Sequence, residues 1–223
     1  MEKHLKQGSG IPRQFLTGVL LLLLAGAVAV ITLMWIRSHR AVPGTNRVYQ
    51  GTTLDRPSQD FQLVDQHGAT VALSDLRGKV VVLTFLDTQC EDVCPLTAAH
   101  LLRTYRSLGK RGDSVVFLGV NVNVKAGTIT DVAEATKKWQ LNQVPTWHFL
   151  TGVPKELERT WKAYFIQVEP SPKEGGEILH TPGVYLIDKT GRQHWYISLP
   201  PEQTDSQGLA LSDLLEKRIR ELL

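Results

Sequence analysis

This 223-residue sequence predicts an α/β sandwich with a mixed, mostly parallel sheet, preceded by one N-terminal transmembrane helix. Three observations predict it. Strand-like and helix-like segments alternate from residue 59 onward. Two of the strands, VVVLTFL at 80–86 and VVFLGVNV within 114–122, are continuous apolar runs, as expected of strands covered on both faces. Before them, Phe15 to Ile36 holds 22 residues without a charge.

That uncharged stretch is long enough to cross a hydrocarbon core of about 30 Å. Arg13 precedes it, Trp35 lies near its end, and Arg37 and Arg40 follow, as interfacial anchors do. A cleaved signal peptide is the alternative, because Ala25-Gly26-Ala27 could serve a peptidase. Its apolar region is longer than the ~7–15 residues usual for one. The expected organisation is a cytoplasmic tail at 1–14, an anchor at 15–36, a linker at 37–58 and one domain at 59–223. Pro43-Gly44, Gly51 and Pro57 mark the linker. Lys3, Lys6 and Arg13 before the span balance Arg37, Arg40 and Arg47 after it, so charge does not set orientation.

Within the domain, FQLVD and TVAL flank Gln66-His67-Gly68 as a hairpin. The strand at 80–86 follows. Leu96, Ala99, Leu102 and Tyr105/Arg106 recur at helical spacing from Pro95 to Leu108, and Gly109 ends that helix. After the strand at 114–122 come a helix at 130–141, a short strand at 146–150 and a helix at 154–165. Strands at 184–188 and 194–197 surround the turn Lys189-Thr190-Gly191-Arg192, and Leu209 to Leu222 is a closing amphipathic helix.

Composition narrows the function. Twenty-five Lys and Arg face 22 Asp and Glu, with no basic stripe, so nothing marks a nucleic-acid partner. Two cysteines exclude a disulfide-stapled scaffold and a zinc knuckle of three or four cysteines.

Those cysteines, Cys90 and Cys94, sit in TQCEDVCP, between the buried strand and the helix opening near Pro95. Ligands bind at such strand ends in open α/β sheets. Spaced four apart on a turn that is helical or nearly so, both sulfurs face one side. That permits a disulfide and equally a metal held by two thiolates. A structural disulfide closing so small a loop gains little, which favours chemistry. Soft thiolates suit Cu(I) and, less selectively, Zn(II). A third ligand must come from the seven histidines: His4, His39, His67, His100, His148, His180 and His194. His180 stands out, because it falls in the loop LHTPG immediately before the strand VYLID.

Cys90-x-x-x-Cys94-Pro95, followed 86 residues after Cys94 by His180, resembles the SCO/SenC family. Thr88-x-Cys90-x-Asp92-Val93-Cys94-Pro95 and Leu150-Thr151-Gly152 extend the likeness over roughly residues 60–200. The resemblance implies a thioredoxin-like fold, a membrane anchor, and a role for copper in assembling the CuA centre of cytochrome c oxidase. It implies Cys90, Cys94 and His180 as ligands for Cu(I) or Cu(II). The chain departs from the family pattern at Asn121–Gly127, which carries neither acid nor proline, and at Glu91, where a proline is common. Pro182 stands where thioredoxin-like reductases place a cis-proline beside the substrate peptide.

Four functions use these residues. A copper-binding assembly factor would load all three, for the CuA-bearing subunit or another copper or dithiol protein. A membrane-anchored thiol–disulfide oxidoreductase would use Cys90 as nucleophile and Cys94 as resolving thiol, with no need of His180. A peroxidase of the peroxiredoxin kind wants a threonine three residues before its cysteine, where this chain has Asp87. A redox or copper sensor would use the same groups. The dithiol belongs outside the cytoplasm, which places the N-terminus inside and residues 41–223 on the extracytoplasmic, periplasmic side.

Overall fold

A computed structural model of the chain describes residues 13–39, 51–169, 178–198 and 210–223. Residues 1–12 of the expected tail and 40–50 of the expected linker lie outside these. The chain forms two compact units, Met1–Arg47 and Val48–Leu223.

The first unit holds one helix, α1 (Arg13–His39). Its described side chains, Leu21 to Trp35, are all exposed. Among the described residues, no helix is long and apolar enough to cross a membrane. The expected span at 15–36 begins and ends outside those described side chains.

The second unit is built on strands β1 (Thr52–Pro57), β2 (Gln62–Val64), β3 (Thr70–Ala72), β4 (Val80–Leu86), β5 (Val115–Asn121), β6 (Trp147–Leu150), β7 (Val168–Glu169), β8 (Leu179–His180), β9 (Val184–Ile187) and β10 (Arg192–Ile197). Its helices are α2 (Val93–Leu108), α3 (Ile129–Lys138), α4 (Pro154–Ala163) and α5 (Leu211–Leu222). Six strands form one sheet in the order β1-β10-β9-β4-β5-β6. β4, β5 and β6 run parallel, joined through α2 and α3. β9, β10 and β1 add antiparallel pairings on the other side. The sheet is mixed but not mostly parallel, which corrects the expectation. An apolar run records that a strand is buried and says nothing about its direction.

β4 explains its own sequence. Val80, Val82 and Leu86 enter the core on one face, while Val81, Leu83 and Phe85 enter the core on the other. The first face packs under α2, α3 and α5 through Ala98, Leu101, Val132, Leu214 and Ile219. The second packs under α4 and the β2–β3 hairpin through Leu157, Trp161, Phe61 and Leu63. Both faces are covered, so no polar alternation remains.

Three boundaries differ from expectation. Residues 52–57, expected to end the linker, form β1, an edge strand with mostly exposed side chains. α3 stops at Lys138, two residues before Gln140 turns left-handed at φ 59°. α4 stops at Ala163, just before Phe165 turns left-handed at φ 58°.

Candidate dithiol–histidine site

β4 delivers the chain to the site at its carboxyl end. The turn Asp87–Asp92 follows, then α2. The turn is closed by the Cys90 N–H donating to the Asp87 carbonyl (3.1 Å). The Thr88 hydroxyl, donating to the Ala126 carbonyl (2.7 Å), pins it to the loop after β5. Asp92 caps α2 by accepting from the Val93 N–H, so Cys94 and Pro95 are the second and third helical residues. Pro95 costs no hydrogen bond there, because the first helical N–H groups have no intrahelical acceptor.

Cys90 and Cys94 are both free thiols and both buried. The Cys94 N–H donates to the Cys90 sulfur at 3.3 Å. The Cys90 thiol, while protonated, donates to Asp92 Oδ1 at 3.4 Å. The two groups titrate in opposite directions. A hydrogen bond from the Cys94 thiol, then the backbone N–H groups of Cys94 and Asp92, hold Cys90 below its ordinary value against the cost of burial. Cys94 is pushed far up by the same thiol–thiol bond, by burial and by the charge on Cys90. Of the two, Cys90 is the one favoured as thiolate and Cys94 the one favoured as thiol.

His180 lies in the two-residue strand β8, paired with Val168 of β7, rather than in an open loop as expected. Its Nδ1 is 3.2 Å from the Thr181 carbonyl. A carbonyl only accepts, so Nδ1 carries the hydrogen and Nε2 presents its lone pair. Burial lowers the histidine's pKa and favours this neutral form, outweighing the Thr181 bond and the charge of Asp87. Cys90, Cys94 and His180 line one cavity of about 370 Å³, together with Asp92, Thr97 and Pro182. Among the described residues, no three His, Cys, Asp or Glu side chains are grouped tightly enough to hold an ion. The three side chains share the cavity without closing on a common point.

The peptide before Pro182 is trans, as is every described peptide bond, in contrast to the cis-proline of the reductases. The Pro182 carbonyl accepts from the Tyr196 hydroxyl at 2.6 Å. The other described histidine rings are engaged elsewhere. His100 Nδ1 accepts from the Ser212 N–H at 3.3 Å, between α2 and α5. His148 meets Asp65 and His194 meets Asp188, each at 2.9 Å, and His67 meets Gln66 at 3.1 Å. His4 and the His39 side chain lie outside the described residues. Sequence reasoning missed Asp87 as a site residue. Its one local signal is a carboxylate placed directly after a strand that is apolar but for Thr84.

The sequence profile described as SCO1/SenC matches residues 50–211, most of the chain. The chain belongs to the SCO1/SenC family. The SCO2-like protein of Rickettsia felis is 23% identical over 192 residues, covering 83% of this chain and 91% of that protein. The copper-bound structure of Bradyrhizobium japonicum ScoI is 25% identical with a TM-score of 0.63, covering 75% of this chain and 99% of that one. The apo Sco1 solution structures from Thermus thermophilus are 28% identical with a TM-score of 0.62, covering 78% and 96%. The SCO1/SenC unit is therefore thioredoxin-like in fold, and the match begins one residue before the described part of that unit.

Proposed function

We propose that this chain binds copper through Cys90, Cys94 and His180 and serves the CuA site of cytochrome c oxidase. One observation carries the reading: two free thiols and a neutral imidazole with an available Nε2 line a single cavity. This donor set is soft and suits copper. The Bradyrhizobium japonicum relative holds copper in its structure, and Sco proteins are a family of cytochrome c oxidase assembly proteins. Copper is here the cargo. Loading it displaces the Cys94 proton, so uptake strengthens as pH rises.

The opposed titration of the two thiols favours a second use of the same pair. The Cys90 thiolate attacks one sulfur of a partner disulfide and displaces the other as a thiolate. Cys94 then gives up its proton and attacks Cys90, which forms the Cys90–Cys94 disulfide and leaves the partner as a dithiol. Two electrons pass from this chain to the partner. A CuA site must have its cysteines reduced before it takes copper, so both uses serve one acceptor.

Phe15–Ile36 is the membrane anchor in this reading, with the N-terminus inside and the 59–223 domain on the extracytoplasmic side. The uncharged run of 22 residues and its Arg and Trp flanks support it. Copper titration of the reduced chain tests the proposal. One equivalent taken up by the parent and none by Cys90→Ser/Cys94→Ser is the expected result. No uptake by the parent would leave dithiol exchange as the function.

A further inference from the structure

Asp87 is buried at 1% exposure, and its side chain reaches three separate segments. Oδ1 accepts from the Gln89 N–H at 3.0 Å, in the residue before Cys90. The same oxygen accepts from Asn123 Nδ2 at 2.9 Å, in the loop after β5. Oδ2 accepts from the Ile178 N–H at 3.3 Å, two residues before His180. Its own carbonyl accepts from the Cys90 N–H. One side chain therefore contacts both arms of the site, although Asp87 and Ile178 are 91 residues apart in sequence.

We propose that Asp87 is a positioning residue that holds the His180 strand to the cysteine loop and so sets where the imidazole stands relative to the dithiol. The inference rests on His180 being a copper ligand. β8 is held on its far side by β7 and by the Thr181 N–H donating to the Gln167 carbonyl at 3.0 Å. On the cysteine side the Ile178–Asp87 bond ties it down. This is the longest of the three side-chain bonds to Asp87. Supports of this kind around metal ligands matter because the ligand must be held before the ion arrives. Both Asp87 oxygens accept, one on each arm. A carboxamide of the same size has a single acceptor, so Asp87→Asn sets an N–H₂ against a backbone N–H on one arm or the other.

The test uses the full chain in detergent with Cu(I) under a competing chelator, and hydrogen–deuterium exchange across residues 178–181. Asp87→Asn is expected to weaken copper binding at least about tenfold. In a His180→Ala background the same substitution is expected to cost less than about twofold, because its effect runs through the histidine. Exchange at 178–181 should rise in Asp87→Asn without copper present. Ile178→Pro deletes the donor and leaves Asp87 its other partners, and should reproduce both effects if Asp87→Asn folds poorly. Equal copper losses in both backgrounds, or unchanged exchange at 178–181 in a folded variant, would overturn the proposal. A His180→Ala chain with parental copper affinity would instead overturn the copper-ligand reading, and exchange alone would then decide whether Asp87 holds the strand.

Discussion

The backbone N–H of Cys94 points at the sulfur of Cys90 from 3.3 Å, and it adds to the thiol–thiol hydrogen bond that makes two cysteines of one turn chemically unlike. Anionic sulfur is favoured at Cys90, where a thiol and backbone N–H groups from the start of α2 converge on it. At Cys94 the hydrogen bond to the Cys90 sulfur, then burial and the neighbouring charge, favour the protonated form.

That asymmetry predicts the order of alkylation. Iodoacetamide should modify Cys90 before Cys94, with a rate midpoint below that of an ordinary thiol. Cys94→Ala removes the largest stabiliser of the Cys90 thiolate and should move the midpoint upward. Mass spectrometry of tryptic peptides over a pH series reads both. Equal labelling of the two cysteines would contradict the assignment.

His180 predicts a pH dependence of stability. Its folded pKa lies below the ordinary 6.5, so the unfolded chain binds more protons in the window just under that value. Stability is therefore full above about pH 6.5 and falls as the solution is acidified through the window. His180→Gln should flatten this part of the profile in urea melts of the metal-free chain. A slope unchanged by the substitution would mean that other groups carry it.

Gly183 predicts a steric limit beside the site. At φ 154°, a Cβ on this residue would lie 2.3 Å from the Tyr196 ring. The Tyr196 hydroxyl holds the Pro182 carbonyl, and the Gly183 carbonyl accepts from Thr84 Oγ1 at 3.0 Å. Gly183→Ala should displace the ring and cost about 1–3 kcal/mol, read as a lower urea midpoint. No loss of stability would show that Tyr196 moves freely.

Much of this was legible in the sequence, for identifiable reasons. β4 and β5 are covered on both faces and are therefore apolar at nearly every position, and α2 carries its own cap and stop in Asp92 and Gly109. The edge strand β1 was not legible, because its exposed side chains leave no period to read and Pro57 resembles a linker residue. β8 is two residues long and exists through pairing with β7, which no local pattern encodes. Cys90 and Cys94 announced themselves by spacing, and His180 by its place before β9. Asp87 did not, because its role comes from partners 36 and 91 residues away.

The proposed anchor predicts topology. A reporter that functions only outside the cytoplasm, fused after Leu223, should be active, and a cytoplasm-only reporter at the same position should be silent. The reverse pattern would place the dithiol in the cytoplasm and remove the copper-delivery reading.

The most direct test of the central claim is an anaerobic titration of the reduced chain with Cu(I) and Cu(II), comparing the parent with His180→Ala. The account predicts one tightly bound copper in the parent and an affinity lower by orders of magnitude in His180→Ala, which should still form its Cys90–Cys94 disulfide. Copper binding indifferent to His180, or absent from both, would contradict it and leave the pair as a dithiol reductant.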